Sequence, residues 1–305
     1  MKRRNFLTSA ITGLGAAVAS TRLAELIAAS PAAAPAFTPC INQATTMKAD
    51  FKTAMDAYSK AGFRVVELWL DSVEPFLAKE SVATARRVIA DGGLDPCGAC
   101  CECEALFFRG LQDPERKWDA FRRKLQRSAE LGAHRFVLCS GISEEVKPSD
   151  YEAAIPGLER VGELGRQFDI VVGLEFIRGA RFLGCVETTA NLLRRVNHPN
   201  VKVLIDTFHF HAGLSKVTDI EKLQPGEVSW VHINDVPPTV PRELLQDTDR
   251  TYVGDGVIPL ARILAAISRV YQGPASFEVF QYADRDPYEV AKRGFDGLSR
   301  LLATV

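Results

Sequence analysis

Glu175, Asp206, His232 and Glu278 are the residues of this sequence most able to do chemistry together. Three close a short apolar run, Ile170-Val171-Val172-Gly173-Leu174 before Glu175, Val201-Lys202-Val203-Leu204-Ile205 before Asp206 and Ala275-Ser276-Phe277 before Glu278, and His232 stands near the end of a fourth, Val228-Ser229-Trp230-Val231-His232-Ile233-Asn234-Asp235. Runs of this length and β-branched content read as strands buried on both faces, so the polar residues that end them are strand-end residues. Two glutamates, an aspartate and one imidazole make a mixed oxygen and nitrogen donor set that suits Mn²⁺, Mg²⁺, Co²⁺ or Zn²⁺, and the lack of sulfur argues against a dedicated soft-metal site. A single strand-end carboxylate also caps helices or pairs with arginine. The case for one metal site rests on all four standing at successive strand ends.

An ion held by such a set polarises a carbonyl and its neighbouring hydroxyl, and favours the enediolate left when a proton is taken from carbon. Glu175 and Glu278 come from runs on either side of the Asp206 and His232 runs, which makes them candidates for acid and base on opposite faces of a substrate. His209, three residues past Asp206, and Arg250 on a long loop are candidates for binding substrate oxygens and the anionic intermediate. Glu67 and Trp69 end another run, where an acid and an indole are suited to sugar hydroxyls and a sugar face; core packing is the alternative for Trp69. His211 is assigned either to substrate contact or to a supporting role behind it.

Residues so far apart in sequence need a scaffold that brings strand ends to one place. Period changes place strands at Phe37 to Asn42, Phe63 to Trp69, within Leu94 to Glu104, at Arg135 to Ser140, and at the four runs above. Helical spacing falls between them: Met47 to Ala61, Val73 to Ala90, Asp113 to Leu131, Pro148 to Phe168, Val186 to Val196, Pro259 to Val270 and Pro287 to Leu302. Alternation of strand and helix on this scale predicts a single-domain (β/α)8 TIM barrel of the α/β class, whose strand C-termini share one mouth. A doubly wound sheet is the competitor, but no glycine-rich phosphate loop follows the first strand. Val236 to Val257 is the longest irregular stretch and carries Arg250.

The chain has 305 residues, 47% hydrophobic and 25% charged, with a formal net charge of −1. This is ordinary globular composition, and the charge gives no reason to expect a nucleic acid or an acidic membrane as partner. A small molecule is the expected partner, and a homo-oligomer is compatible with the sequence. Residues 1–36 read as a twin-arginine export signal: Arg3-Arg4-Asn5-Phe6-Leu7, then an apolar Ala, Gly, Ser and Thr run, then Ala34-Pro35-Ala36. The apolar run falls short of the roughly 20 residues a spanning helix needs. Export to the periplasm, without stable membrane insertion, is therefore the expectation, with 37–305 as the folded barrel. The seven cysteines include Cys97, Cys100, Cys101 and Cys103. They lack a second pair at zinc-finger spacing, so buried thiols are preferred over a disulfide or a structural metal.

Asp206-Thr207-Phe208-His209-Phe210-His211, His232-Ile233-Asn234-Asp235, Asp249-Arg250 leading to Gly254-Asp255-Gly256, and Leu174-Glu175-Phe176 resemble the xylose-isomerase-like barrel superfamily of sugar phosphate isomerases and epimerases. Within it the chain is most similar to the inosose (2-keto-myo-inositol) isomerases, whose Asn-Glu-Ala-Thr-Thr opening resembles Asn42-Gln43-Ala44-Thr45-Thr46. The resemblance implies Glu175, Asp206, His232 and Glu278 as ligands of one divalent metal, the two glutamates doubling as acid and base, with His209 and Arg250 on the substrate side. Two features depart from the pattern: Gln43 replaces an acid, and the cysteine-rich third strand has no counterpart in it.

The expected activity is isomerisation or epimerisation of a keto-sugar or keto-inositol through an enediolate. The alternative keeps the same site and first step but expels a β-leaving group, giving a lyase or dehydratase of a 3-keto-glycoside or a dehydroshikimate-like acid. A DNA-repair phosphodiesterase of this fold would want several zinc ions and a basic groove, which five histidines and the near-neutral charge do not supply. A sugar-binding protein without catalysis would need no acid and base on both faces.

Overall fold

The computed structural model describes residues 35–102, 105–108, 113–142 and 144–305. Residues 1–34 of the expected leader and Cys103 lie outside them. Eight parallel strands close into a barrel in sequence order: β1 Phe37–Asn42, β2 Val65–Trp69, β3 Asp95–Cys100, β4 Arg135–Cys139, β5 Val171–Glu175, β6 Val201–Asp206, β7 Val228–Ile233 and β8 Gly273–Phe277. Helices alternate with them, the longest being Pro114–Leu131, Pro148–Gln167 and Pro287–Leu302. The expected (β/α)8 barrel is therefore the fold. Among the described residues no helix is long and apolar enough to cross a membrane.

Two of the departures from the expected helices are set by a capping side chain. The expected Val73 to Ala90 helix is two helices, Leu70–Leu77 and Val82–Asp91. Ser81 breaks it: its backbone is extended and its side chain caps the second helix by accepting from Thr84 N. A further helix, Thr207–Ala212, starts directly after β6, capped by the Asp206 side chain, which accepts from His209 N.

Alternation along the strands sets the site above an apolar floor. Successive strand residues point to opposite faces, so residues two apart share the barrel interior. Cys40, Val65, Val137, Leu204 and Trp230 belong to one interior cluster. Two positions further on stand Asn42, Glu67, Cys139, Asp206 and His232. Trp230 fills the space across from β3, and a Cβ on Gly98 would run into its indole ring. The larger apolar cluster packs the outer strand faces against the helices. Of the cysteines, Cys40, Cys97, Cys100 and Cys101 are buried, and burial pushes the Cys97 and Cys100 thiols well above the usual thiol range.

Candidate metal centre

One ligand atom from each of Glu175, Asp206, His232 and Glu278 lies within 4.8 Å of the others, and all four residues are buried. Sheet register sets two of them side by side, since Asp206 on β6 pairs with His232 on β7. His232 Nδ1 is 3.2 Å from Glu278 Oε2, 3.6 Å from Glu175 Oε1 and 4.0 Å from Asp206 Oδ2. Neither Nδ1 nor Glu175 Oε1 has a hydrogen-bond partner, although both are fully shielded from solvent. Two unpartnered buried polar atoms aimed at the same point, with two more carboxylates beside them, fit a divalent ion: its charge and lone-pair demand would satisfy both.

Every member of the cluster is also held from outside it. Asn42 Nδ2 donates to Glu278 Oε1 at 2.8 Å, and Asn234 Nδ2 donates to Asp206 Oδ2 at 3.0 Å. The Cys139 thiol donates to Glu175 Oε2 at 3.2 Å. His232 Nε2 donates to Glu67 Oε1 at 3.1 Å, and Ser276 Oγ donates to Glu67 Oε2 at 2.6 Å. The sequence reading missed Asn42, Asn234 and Cys139 as site residues. Asn42 and Cys139 are the last residues of β1 and β4, so the strand-end rule that found the three acids and the imidazole would have found these too.

Glu67, expected on the substrate side, is 0% exposed and lies inside the barrel between His232 and Ser276, each of which takes one of its oxygens. Trp69 is half-buried beside the interior cluster, with its backbone N–H on Gln43 Oε1 at 3.1 Å. His211 is half-buried on the Thr207–Ala212 helix and is not one of the four clustered residues.

Arg250 and His209 do meet the cluster. Arg250, 2% exposed, bonds Glu278 Oε2 through Nη1, which is also 2.9 Å from Asp206 Oδ2. Its Nη2 donates to Asp247 Oδ1 at 2.9 Å and to His209 Nε2 at 3.1 Å. The guanidinium lies between the Phe208 and Phe280 rings, 4.9 and 4.8 Å from their centroids, which fixes its plane. Asp235 seats the loop that carries it. Oδ1 accepts from Val236 N and Ile258 N at 2.9 Å each, and Oδ2 from Gly254 N at 3.2 Å and Gly256 N at 3.1 Å. A backbone bridge between Asp235 and Thr251 adds two more bonds. Gly256 has to be glycine, because a Cβ there would collide with the Asp235 carboxylate and Val236 O.

Charge is unevenly divided. Burial raises Glu175 and Asp206 above the ordinary carboxylate range, only partly opposed by His232 for the first and Arg250 for the second. Burial acts on Glu278 too, but His232 and Arg250 together outweigh it and hold that carboxyl low. For His232, burial opposes the charged form and the surrounding carboxylates, Glu278 and Glu67 first, win and raise it. Burial and then Arg250 push His209 down to about 3, so it is neutral. The site thus has one glutamate that readily carries a proton and one that readily gives it up, on either side of the same space.

This fold and this cluster define a TIM barrel with a candidate metal site at the C-terminal ends of its strands. The xylose isomerase-like TIM barrel family matches residues 55–301, and the chain belongs to it. It is 24% identical over 257 residues to the inosose isomerase of Halalkalibacterium halodurans, covering 79% of this chain and 87% of that one. It is also 24% identical over 262 residues to the 3-dehydroshikimate dehydratase of Pseudomonas putida, covering 81% of this chain but 39% of that longer protein. Among solved structures, the IOLI protein with a bound zinc atom superposes with a TM-score of 0.79 at 20% identity, over 88% of this chain and 98% of that one.

Proposed function

We propose that this protein is a divalent-metal-dependent isomerase or epimerase of a keto-sugar or keto-inositol, working through an enediolate. The observation that carries the reading is the convergence of Glu175, Asp206, His232 and Glu278 within 4.8 Å. These four residues would hold the ion, which when bound supplies Lewis acidity to a carbonyl and an adjacent hydroxyl. Glu175 and Glu278, on either side of the same space, would be the acid and base that take a proton from one carbon and return one to its neighbour. Arg250, flanked by Phe208 and Phe280, would present donors to substrate oxygens, with neutral His209 beside its Nη2. The inosose isomerase relatives support the substrate class, and the IOLI structure's zinc supports a divalent metal without deciding which.

A second reading is favoured by the dehydratase relative. The same proton abstraction followed by loss of a β-substituent would make this a lyase. Proton NMR of the protein with scyllo-inosose and, separately, a 3-keto-glucoside separates the two. An isomeric keto-inositol from the first substrate supports isomerisation. Release of the aglycone from the second, with the first unchanged, would replace it with elimination.

The Arg3-Arg4 element extends the proposal to an exported enzyme acting outside the cytoplasm. Cell fractionation of the wild type and of a variant with both arginines changed to lysine tests this. Equal cytoplasmic retention of the two would reject it.

A further inference from the structure

We infer that Glu67 is a positioning residue for His232, committing its Nε2 to a proton so that Nδ1 is left to bind the metal. The inference rests on the metal reading above. A carboxylate that is 0% exposed is costly to bury unless it has partners, and Glu67 has two: His232 Nε2 at 3.1 Å and Ser276 Oγ at 2.6 Å. Both face the same carboxyl, and register places Ser276 beside His232 on the neighbouring strand. Glu67 itself lies beside Asn42, which holds Glu278.

An imidazole has two nitrogens, and a neutral ring keeps a lone pair on one only. Nδ1 faces Glu278, Glu175 and Asp206, whereas Nε2 faces Glu67. With the proton fixed on Nε2 by an anionic acceptor, the Nδ1 lone pair points into the carboxylate cluster and the ring becomes a stronger donor. The Trp230 indole stands edge-on to the same ring, 5.8 Å between centroids at 72°, and limits its rotation. An apolar residue in place of Glu67 would leave the His232 tautomer unset.

Calorimetric titration of the metal-free protein with Zn²⁺ alone tests this, using wild type, Glu67→Gln, Glu67→Ala and Ser276→Ala. Gln retains an acceptor for Nε2–H, and Ala removes it. The expected order is wild type tightest, Glu67→Gln weaker, and Glu67→Ala weakest, the last by roughly 10–100-fold. Ser276→Ala, which frees one oxygen of Glu67, falls between wild type and Glu67→Gln. In the zinc-loaded wild type, ¹⁵N NMR should show a slowly exchanging proton on His232 Nε2, exchanging faster in Glu67→Gln. If Glu67 were only structural, the variants would melt earlier yet bind zinc as tightly as wild type with the same exchange rate, and the inference would be overturned. Equal weakening by Gln and Ala would overturn the hydrogen-bond role. Failure of the wild type to bind any ion would instead overturn the metal reading and this inference with it.

Discussion

Asp206 and His232 are register partners on adjacent strands, so the spacing of two of the four clustered residues is set by sheet hydrogen bonds and not by a loop. A site anchored this way is preorganised, and an ion that binds only the folded chain stabilises it by mass action.

Zinc or manganese at a thousandfold excess over its dissociation constant should therefore add about 4 kcal/mol. Thermal unfolding followed by circular dichroism should show the midpoint rising by several degrees, returning to the starting value with chelator. In Asp206→Asn the rise should largely vanish. An equal rise in that variant would place the ion elsewhere.

Asp235 is the support for Arg250. Asp235→Ala would leave four loop N–H groups without their carboxylate, all closing a loop whose guanidinium reaches Asp206. We expect about 3 kcal/mol of lost stability in urea titration, on the scale of a buried charged acceptor removed from several donors. Turnover should fall further than stability explains, because Arg250 loses its seat. A loss below about 0.5 kcal/mol, the size of an ordinary surface change, would show that the loop is held by other contacts.

Gly98→Ala tests the barrel floor. A methyl group there meets the Trp230 ring, which is fully buried. Overpacking of this kind costs about 1–3 kcal/mol. Because Trp230 lies under His232, metal affinity should drop as well. A variant as stable as wild type in denaturant titration would mean that the indole has room to shift.

The sequence made the barrel and the four-residue cluster legible for one physical reason: buried parallel strands leave long apolar runs, and a polar residue at the end of one stands out. The same logic says less about Glu67: it sits two residues before the end of β2, on the same interior face as Trp69, and nothing in the sequence tells that His232 and Ser276 take its two oxygens. The Thr207–Ala212 helix was hidden because Phe208 and Phe210 extend the apolar pattern of β6, and only the Asp206 cap reveals where the strand stops. Asp235 was quoted within a motif, yet its work on Val236, Gly254, Gly256 and Ile258 spans more than twenty residues of loop that no periodicity connects.

The most direct test of the central claim is solvent exchange. Wild type and Glu278→Gln, each with and without Mn²⁺, are incubated in D₂O with a keto-inositol, and deuterium entering the carbon beside the ketone is followed by proton NMR. The account predicts incorporation by the Mn²⁺-loaded wild type, and a drop of at least 100-fold, the low end for a lost general base, in Glu278→Gln and in the metal-free protein. Equal incorporation by the wild type and Glu278→Gln would contradict it.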